Sequence, residues 1–103
     1  MPPAAGLAAI VSTYCTAWQV PEEQTSFEPH TARAFGTIVR AERMARGVAQ
    51  DEFALLANID RSYFGKLERG ERQPSLALIF RIAKGLELAA SELLQRVEVA
   101  IHA

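Results

Sequence analysis

Residues 50–70 read QDEFALLANIDRSYFGKLERG, and this stretch decides the fold. Gln50 to Ala57 carries apolar residues at Phe53, Ala54 and Leu56, with small Ala54 and Ala57 towards the inside, so it predicts a short helix. Asn58 follows, and asparagine tolerates the left-handed backbone that a sharp corner between helices needs. Ile59 is an apolar plug. Asp60 suits an N-cap, because its carboxylate can accept from the free amides of the next turn. Arg61 to Arg69 then forms a second helix with Phe64 and Leu67 inward, and Gly70 is a natural residue to follow its end.

Two short helices meeting steeply across a turn of a few residues describe a helix-turn-helix. The second helix places Arg61, Ser62, Gly65 and Lys66 on its outer side. Arg, Ser and Lys side chains donate to base edges and phosphates, and a glycine lets a backbone approach closely. A solvated face of an ordinary helical hairpin carries the same residue types, so spacing alone leaves both readings open.

The totals bound the surroundings of this unit. A chain of 103 residues makes one domain with a short extension. Half of the residues are apolar, enough for a core without covalent staples. A single cysteine, Cys15, excludes an internal disulfide framework and fits a reducing compartment. No window reaches the ~18–20 continuous apolar residues of a membrane span. No Lys or Arg precedes Arg33, so the start lacks the charge of a secretory signal, and a cytoplasmic location is expected.

The net charge of −1 looks poor for a partner of nucleic acid, but the distribution is uneven. Residues 1–30 hold three acids and no base. Residues 31–85 hold ten Lys and Arg against six Asp and Glu. Residues 86–103 hold Arg96 against three Glu. The basic excess sits around the two-helix unit, where phosphate neutralisation needs it.

Residues 1–21 contain no charge. Leu7, Ile10, Val11, Tyr14, Cys15 and Trp18 recur at helical spacing, while the richness in Val, Thr, Tyr, Ile and Trp also suits a strand; the helical reading leads. Cys15 beside Tyr14 and Trp18 reads as a small buried hydrophobe rather than a catalytic thiol. The two prolines of residues 20–30 mark a linker. Thr31 is expected to cap a helix that runs to about Arg46, with Phe35 and Val39 marking its inner face, Ile38 beside them and Gly36 permitting close packing. Ser75 is expected to cap a fourth helix, Leu76 to about Gly85, with Leu76, Ile79, Ile82 and Ala83 inward. A fifth begins near Ala90. Its stripe of Leu93, Leu94, Val97 and Ile101 exceeds what one small core should need, so these residues are expected to form a dimer interface. The architecture is thus all-α: an extension and linker over residues 1–30, then a five-helix domain over residues 31–103.

From Phe35 onward the chain resembles the Cro and phage-repressor type of helix-turn-helix regulators, the xenobiotic-response-element family, over about residues 33–95. The resemblance rests on Phe35-Gly36, Arg43, Gly47-Val48, Gln50-x-Glu52-Phe53-Ala54, Leu67-Glu68-Arg69-Gly70, Pro74-Ser75 and Ile82-Ala83-Lys84. It implies a lambda-repressor-like fold. It also implies that Arg61, Ser62 and Lys66, with Tyr63 nearby, read bases, and that Gln50, Arg69 and Arg72 hold phosphates. Arg43 and Glu68 match a family ion pair that ties the first helix, the one that runs to about Arg46, to the end of the recognition helix, about residues 61–69, which the resemblance places in the major groove of DNA. Four positions depart from the pattern. Ala49 stands where a Ser, Thr or Asn cap is usual, Asn58 and Glu87 replace frequent glycines, and Gly65 interrupts the recognition helix.

The expected function is therefore sequence-specific binding of double-stranded DNA by a homodimeric transcriptional regulator. Small relatives of this type include phage repressors, restriction-modification controllers and antitoxins. The alternative is an antitoxin or protein-interaction module whose helix-turn-helix serves autoregulation, with a protein partner held through the N-terminal extension, residues 1–20, or through the Leu93 to Ile101 face. An enzyme is disfavoured. Asp51, Glu52 and Asp60 read as helix-terminal charges. His30 and His102 are far apart in the chain, no cluster suggests a metal, and no glycine-rich phosphate loop is present. No cofactor is expected.

Overall fold

The computed structural model describes residues 27–103, so the readings made for residues 1–26 lie outside the described residues. Five helices follow in order: α1 Pro29–Ala45, α2 Gln50–Leu56, α3 Arg61–Glu68, α4 Leu76–Gly85 and α5 Ala90–Ile101. None is long and apolar enough to cross a membrane. Among the described residues there is no strand.

Helix α1 packs on α3 and on α5, α2 packs on α3, and α4 on α5. The shared core holds Phe35, Val39, Phe53, Phe64, Leu67, Ile82, Leu86 and Leu93, all almost free of solvent. Phe53 of α2 and Phe64 of α3 stack with ring centroids 5.1 Å apart, which fixes the angle between the two short helices. Gly36 permits the contact of α1 with the end of α3. A methyl group there would lie 2.4 Å from the Glu68 carbonyl oxygen, so only glycine lets the helices approach this closely.

The first four helices end in the same way. Each is followed by one residue in the left-handed region: Gly47, Asn58, Gly70 and Glu87. In each case the next residue's N–H reaches back to the carbonyl five residues earlier: Val48 to Arg43 at 3.3 Å, Ile59 to Ala54 at 2.9 Å, Glu71 to Lys66 at 2.9 Å and Leu88 to Ala83 at 2.9 Å. This is the Schellman termination, and it turns the chain sharply while satisfying free carbonyls. Glu87 therefore builds the usual corner without the usual glycine. The starts are less uniform. Asp60 Oδ2 accepts from the Tyr63 amide at 3.0 Å and Ser75 Oγ from the Leu78 amide at 3.2 Å, whereas Ala49 leaves α2 without a side-chain cap.

Several expectations need correction. Helix α1 begins at Pro29, not after a Thr31 cap, because proline at the first helical position loses no hydrogen bond. His30, read as linker, lies inside α1, and its Nε2 donates to the Ile101 carbonyl at 3.0 Å, pinning the start of α1 to the end of α5. Leu76 is 67% exposed, since it opens α4 before that helix meets the core. Leu56 is 65% exposed: the inward arc of α2 runs through Phe53, Ala54 and Ala57, and Leu56 falls beside it. Leu93 and Val97 are buried inside the protomer's own core, so they offer no surface to a second copy. Leu94 and, in part, Ile101 keep that freedom.

One buried polar network holds α3 to the rest. Arg43 Nε donates to Glu68 Oε2 at 2.7 Å and Nη2 to Oε1 at 3.0 Å, while Nη1 donates to the Val48 carbonyl at 2.8 Å. Gln50 Nε2 donates to Glu68 Oε1 at 2.8 Å. The paired side chains are 11% and 2% exposed. At the surface Glu42 spans two cations, Arg46 at 2.8 Å and Arg96 of α5 at 2.6 Å.

Three stability measurements follow. Glu68→Ala strands a buried guanidinium and should cost roughly 3–5 kcal/mol in urea unfolding, whereas replacing Arg43 and Glu68 together by Met and Leu should cost far less. Equal losses in the two variants would contradict a desolvated pair. Glu87→Gly should raise the melting temperature, by relief of about 1 kcal/mol of left-handed strain. A lower value would show that any strain at Glu87 is smaller than the roughly 0.4–1 kcal/mol of unfolded-chain freedom that glycine adds. Glu42 sits below its ordinary pKa of 4.5, through the hydrogen bond from Arg46 first and from Arg96 next. Its contribution is therefore present above pH 4.5 and is lost as pH falls through the lower folded value. Glu42→Gln should destabilise at pH 7 and be nearly silent at pH 2–3, as read by urea midpoints.

Candidate nucleic-acid interface

The outer side of α3 is polar because its inner side is spent on Phe64 and Leu67. Asp60 caps the helix, so the first turn, where Arg61, Ser62 and Tyr63 sit, is held in place by the Asp60 carboxylate. Arg61 and Ser62 are exposed, while Tyr63 and Lys66 are half-buried. Tyr63 also packs against the hydrophobic core, so its ring is anchored rather than free. The structure thus brings Arg61, Ser62 and Lys66 to the accessible part of one short helix. Arg61 crosses to α2, where its Nη1 donates to Asp51 Oδ2 at 3.0 Å.

A second group of polar residues lines a shallow cleft between α1, α2 and α3. Its walls are Arg40, Arg43, Gln50, Glu68 and Arg69. Gln50 contributes its carboxamide from the first position of α2. One of its two N–H groups is given to Glu68, which leaves one for a ligand. Arg69, just past the end of α3, donates from Nε to Glu71 Oε2 at 2.5 Å, and Arg72 Nη1 donates to the Glu71 carbonyl at 2.9 Å. The Arg69 hydrogen bond holds the Glu71 carboxyl below its ordinary pKa, with smaller help from the charges of Arg69, Lys66 and Arg72.

Gly65 does not face outward as its position suggested. It is buried beneath two side chains: a methyl group there would meet Arg69 Nη1 at 3.2 Å and Gln50 Oε1 at 3.6 Å. Its missing side chain makes room for Arg69 to lie back over α3 beside Gln50. Helix propensity of about 1 kcal/mol is lost for this placement. Arg40 belongs to the cleft and was missed from sequence. The available signal was its spacing, three residues before Arg43 on the same helix face.

Cations gathered around a cleft and along one helix suit polyanions rather than small neutral ligands. Among the described residues no group of three or more His, Cys, Asp or Glu side chains is placed to hold a metal ion.

Comparison with known proteins agrees with this geometry. A family model described as "Helix-turn-helix" matches residues 39–93. An uncharacterized HTH-type transcriptional regulator of Bacillus subtilis, YazB, is 40% identical over 62 residues, spanning 60% of this chain and 90% of that protein. The restriction-modification controller protein C.AhdI from Aeromonas hydrophila superposes with a TM-score of 0.58 at 40% identity, covering 60% of this chain and 94% of that one. The controller C.Esp1396I, solved as a tetramer with its natural 35-base-pair operator, shares the fold with a TM-score of 0.68 at 24% identity, over 74% of this chain and all of that one. With a buried Arg43–Glu68 pair, a capped α3 and a family model spanning both helices of the motif, this chain belongs to the helix-turn-helix transcriptional regulators of the Cro/C1 type.

Proposed function

We propose that the chain is a sequence-specific, double-stranded-DNA-binding regulator that acts as a homodimer, with α3 laid in the major groove. The observation that carries this reading is the joint placement of Arg61, Ser62 and Lys66 on accessible α3 beside the cleft of Arg40, Gln50 and Arg69. In the proposed complex the first turn of α3 meets base edges. Arg61 forks onto guanine O6 and N7, the commonest specific contact. Gln50, Arg69 and Arg72 take phosphates on either side and set the register. Arg40 joins them.

Self-association would set two copies of α3 about 34 Å apart on a near-palindromic site. Leu94 and Ile101 supply apolar surface for it on α5, and Leu76 and Phe80 of α4 are also exposed. The oligomeric, operator-bound state of C.Esp1396I supports the reading. The protein-interaction alternative draws its support from Leu55 and Leu56, which stand exposed at the end of α2. A stoichiometric second protein on purification from the native host would favour it.

Two substitutions separate base reading from phosphate holding. Against a duplex selected from a random pool, Arg61→Ala should cost about 1–3 kcal/mol and relax one base position. Gln50→Ala should weaken selected and scrambled duplexes by similar factors. Equal losses on both duplexes for both variants would refute the assigned roles.

A further inference from the structure

We propose that Asp51 is a specificity-determining residue, a carboxylate on α2 that positions Arg61 for one base and keeps it from phosphates. The inference rests on the DNA-binding reading above.

The Arg61–Asp51 pair joins two different helices across the turn, with Nη1 to Oδ2 at 3.0 Å. The side chains are 72% and 65% exposed, and ion pairs this exposed add little to fold stability. α3 is already fixed by the buried Glu68 network and by the Phe53–Phe64 stack. The effect of this pair therefore falls on what Arg61 does to a ligand.

An arginine side chain is long and freely rotating, and a charged phosphate oxygen attracts it at least as strongly as a neutral base edge does. Asp51 changes that balance in two ways. It occupies one of the five guanidinium donors and leaves the others for a two-point contact with guanine. Its negative charge repels phosphate oxygens that approach the same donor. Asp51 is itself anchored, since it is short and sits in the first turn of α2, where the helix dipole favours an anion. The Arg69–Glu71 pair differs. It joins neighbouring residues in a loop beside the phosphate cleft, so Glu71 competes with every duplex alike.

The test compares Asp51→Asn with Glu71→Gln in the full chain. The probes are the duplex selected by the wild-type protein, its versions with each other base at the position relaxed by Arg61→Ala, and a scrambled duplex. Asp51→Asn should lower affinity for the selected duplex and leave or raise affinity for the scrambled one. Preference at the Arg61 position should fall by about five- to tenfold. Glu71→Gln should tighten binding to every duplex and leave base preference unchanged. In an Arg61→Ala background, Asp51→Asn should no longer alter base preference. The inference is overturned if Asp51→Asn behaves like Glu71→Gln, or if its effect on preference survives without Arg61. Failure of the wild-type protein to select any duplex would instead overturn the DNA-binding reading, and this one with it.

Discussion

The Arg43–Glu68 ion pair is the constraint on which the rest depends. It lies where four pieces of chain converge: α1 through Arg43, the following loop through the Val48 carbonyl, the start of α2 through Gln50, and the end of α3 through Glu68. Burying two charges is costly, and apolar side chains of similar size would stabilise a small core at least as well. What the pair adds is definition. A guanidinium and a carboxylate meet in one geometry, whereas apolar groups slide. Two helices of seven and eight residues have little internal stability, so a fixed point at their junction decides how both are presented.

From that point the charge arrangement follows. Gly36 lets α1 approach α3 closely enough for Arg43 to reach Glu68. Gln50 shares the Glu68 carboxylate, which places α2's first residue at the cleft beside Arg40 and Arg69. Gly65 leaves space for the Arg69 side chain to lie over α3. The outward cations are restrained by carboxylates, Arg61 by Asp51 and Arg69 by Glu71. A chain with net charge −1 thus presents a local basic surface without being a general polycation.

Much of this was legible in the residues because local chemistry set it. Asp60 and Ser75 cap helices in the way their side chains dictate, and Asn58 turns left-handed as a small polar residue can. Other features depended on distant partners. Nothing local shows that Leu93 and Val97 enter the protomer's own core while Leu94 stays half outside, because their stripe looks the same for a core as for a dimer contact. Pro29 and His30 read as linker until Ile101 arrives to accept from the His30 ring. The pairing of Arg61 with Asp51 depends on the angle across the turn, which periodicity does not contain. Gly65 looked like an opening for a ligand and instead shelters two side chains.

The most direct test of the central claim is amide mapping by nuclear magnetic resonance. A 15N-labelled chain would be titrated with a duplex recovered by selection from a random pool. The account predicts the largest shift changes at the amides of Gln50, Arg61, Ser62 and Lys66, with Arg69 and Arg72 next and the exposed face of α4 least affected by DNA itself. Changes confined to α4 and α5, with α3 unmoved at saturation, would contradict it.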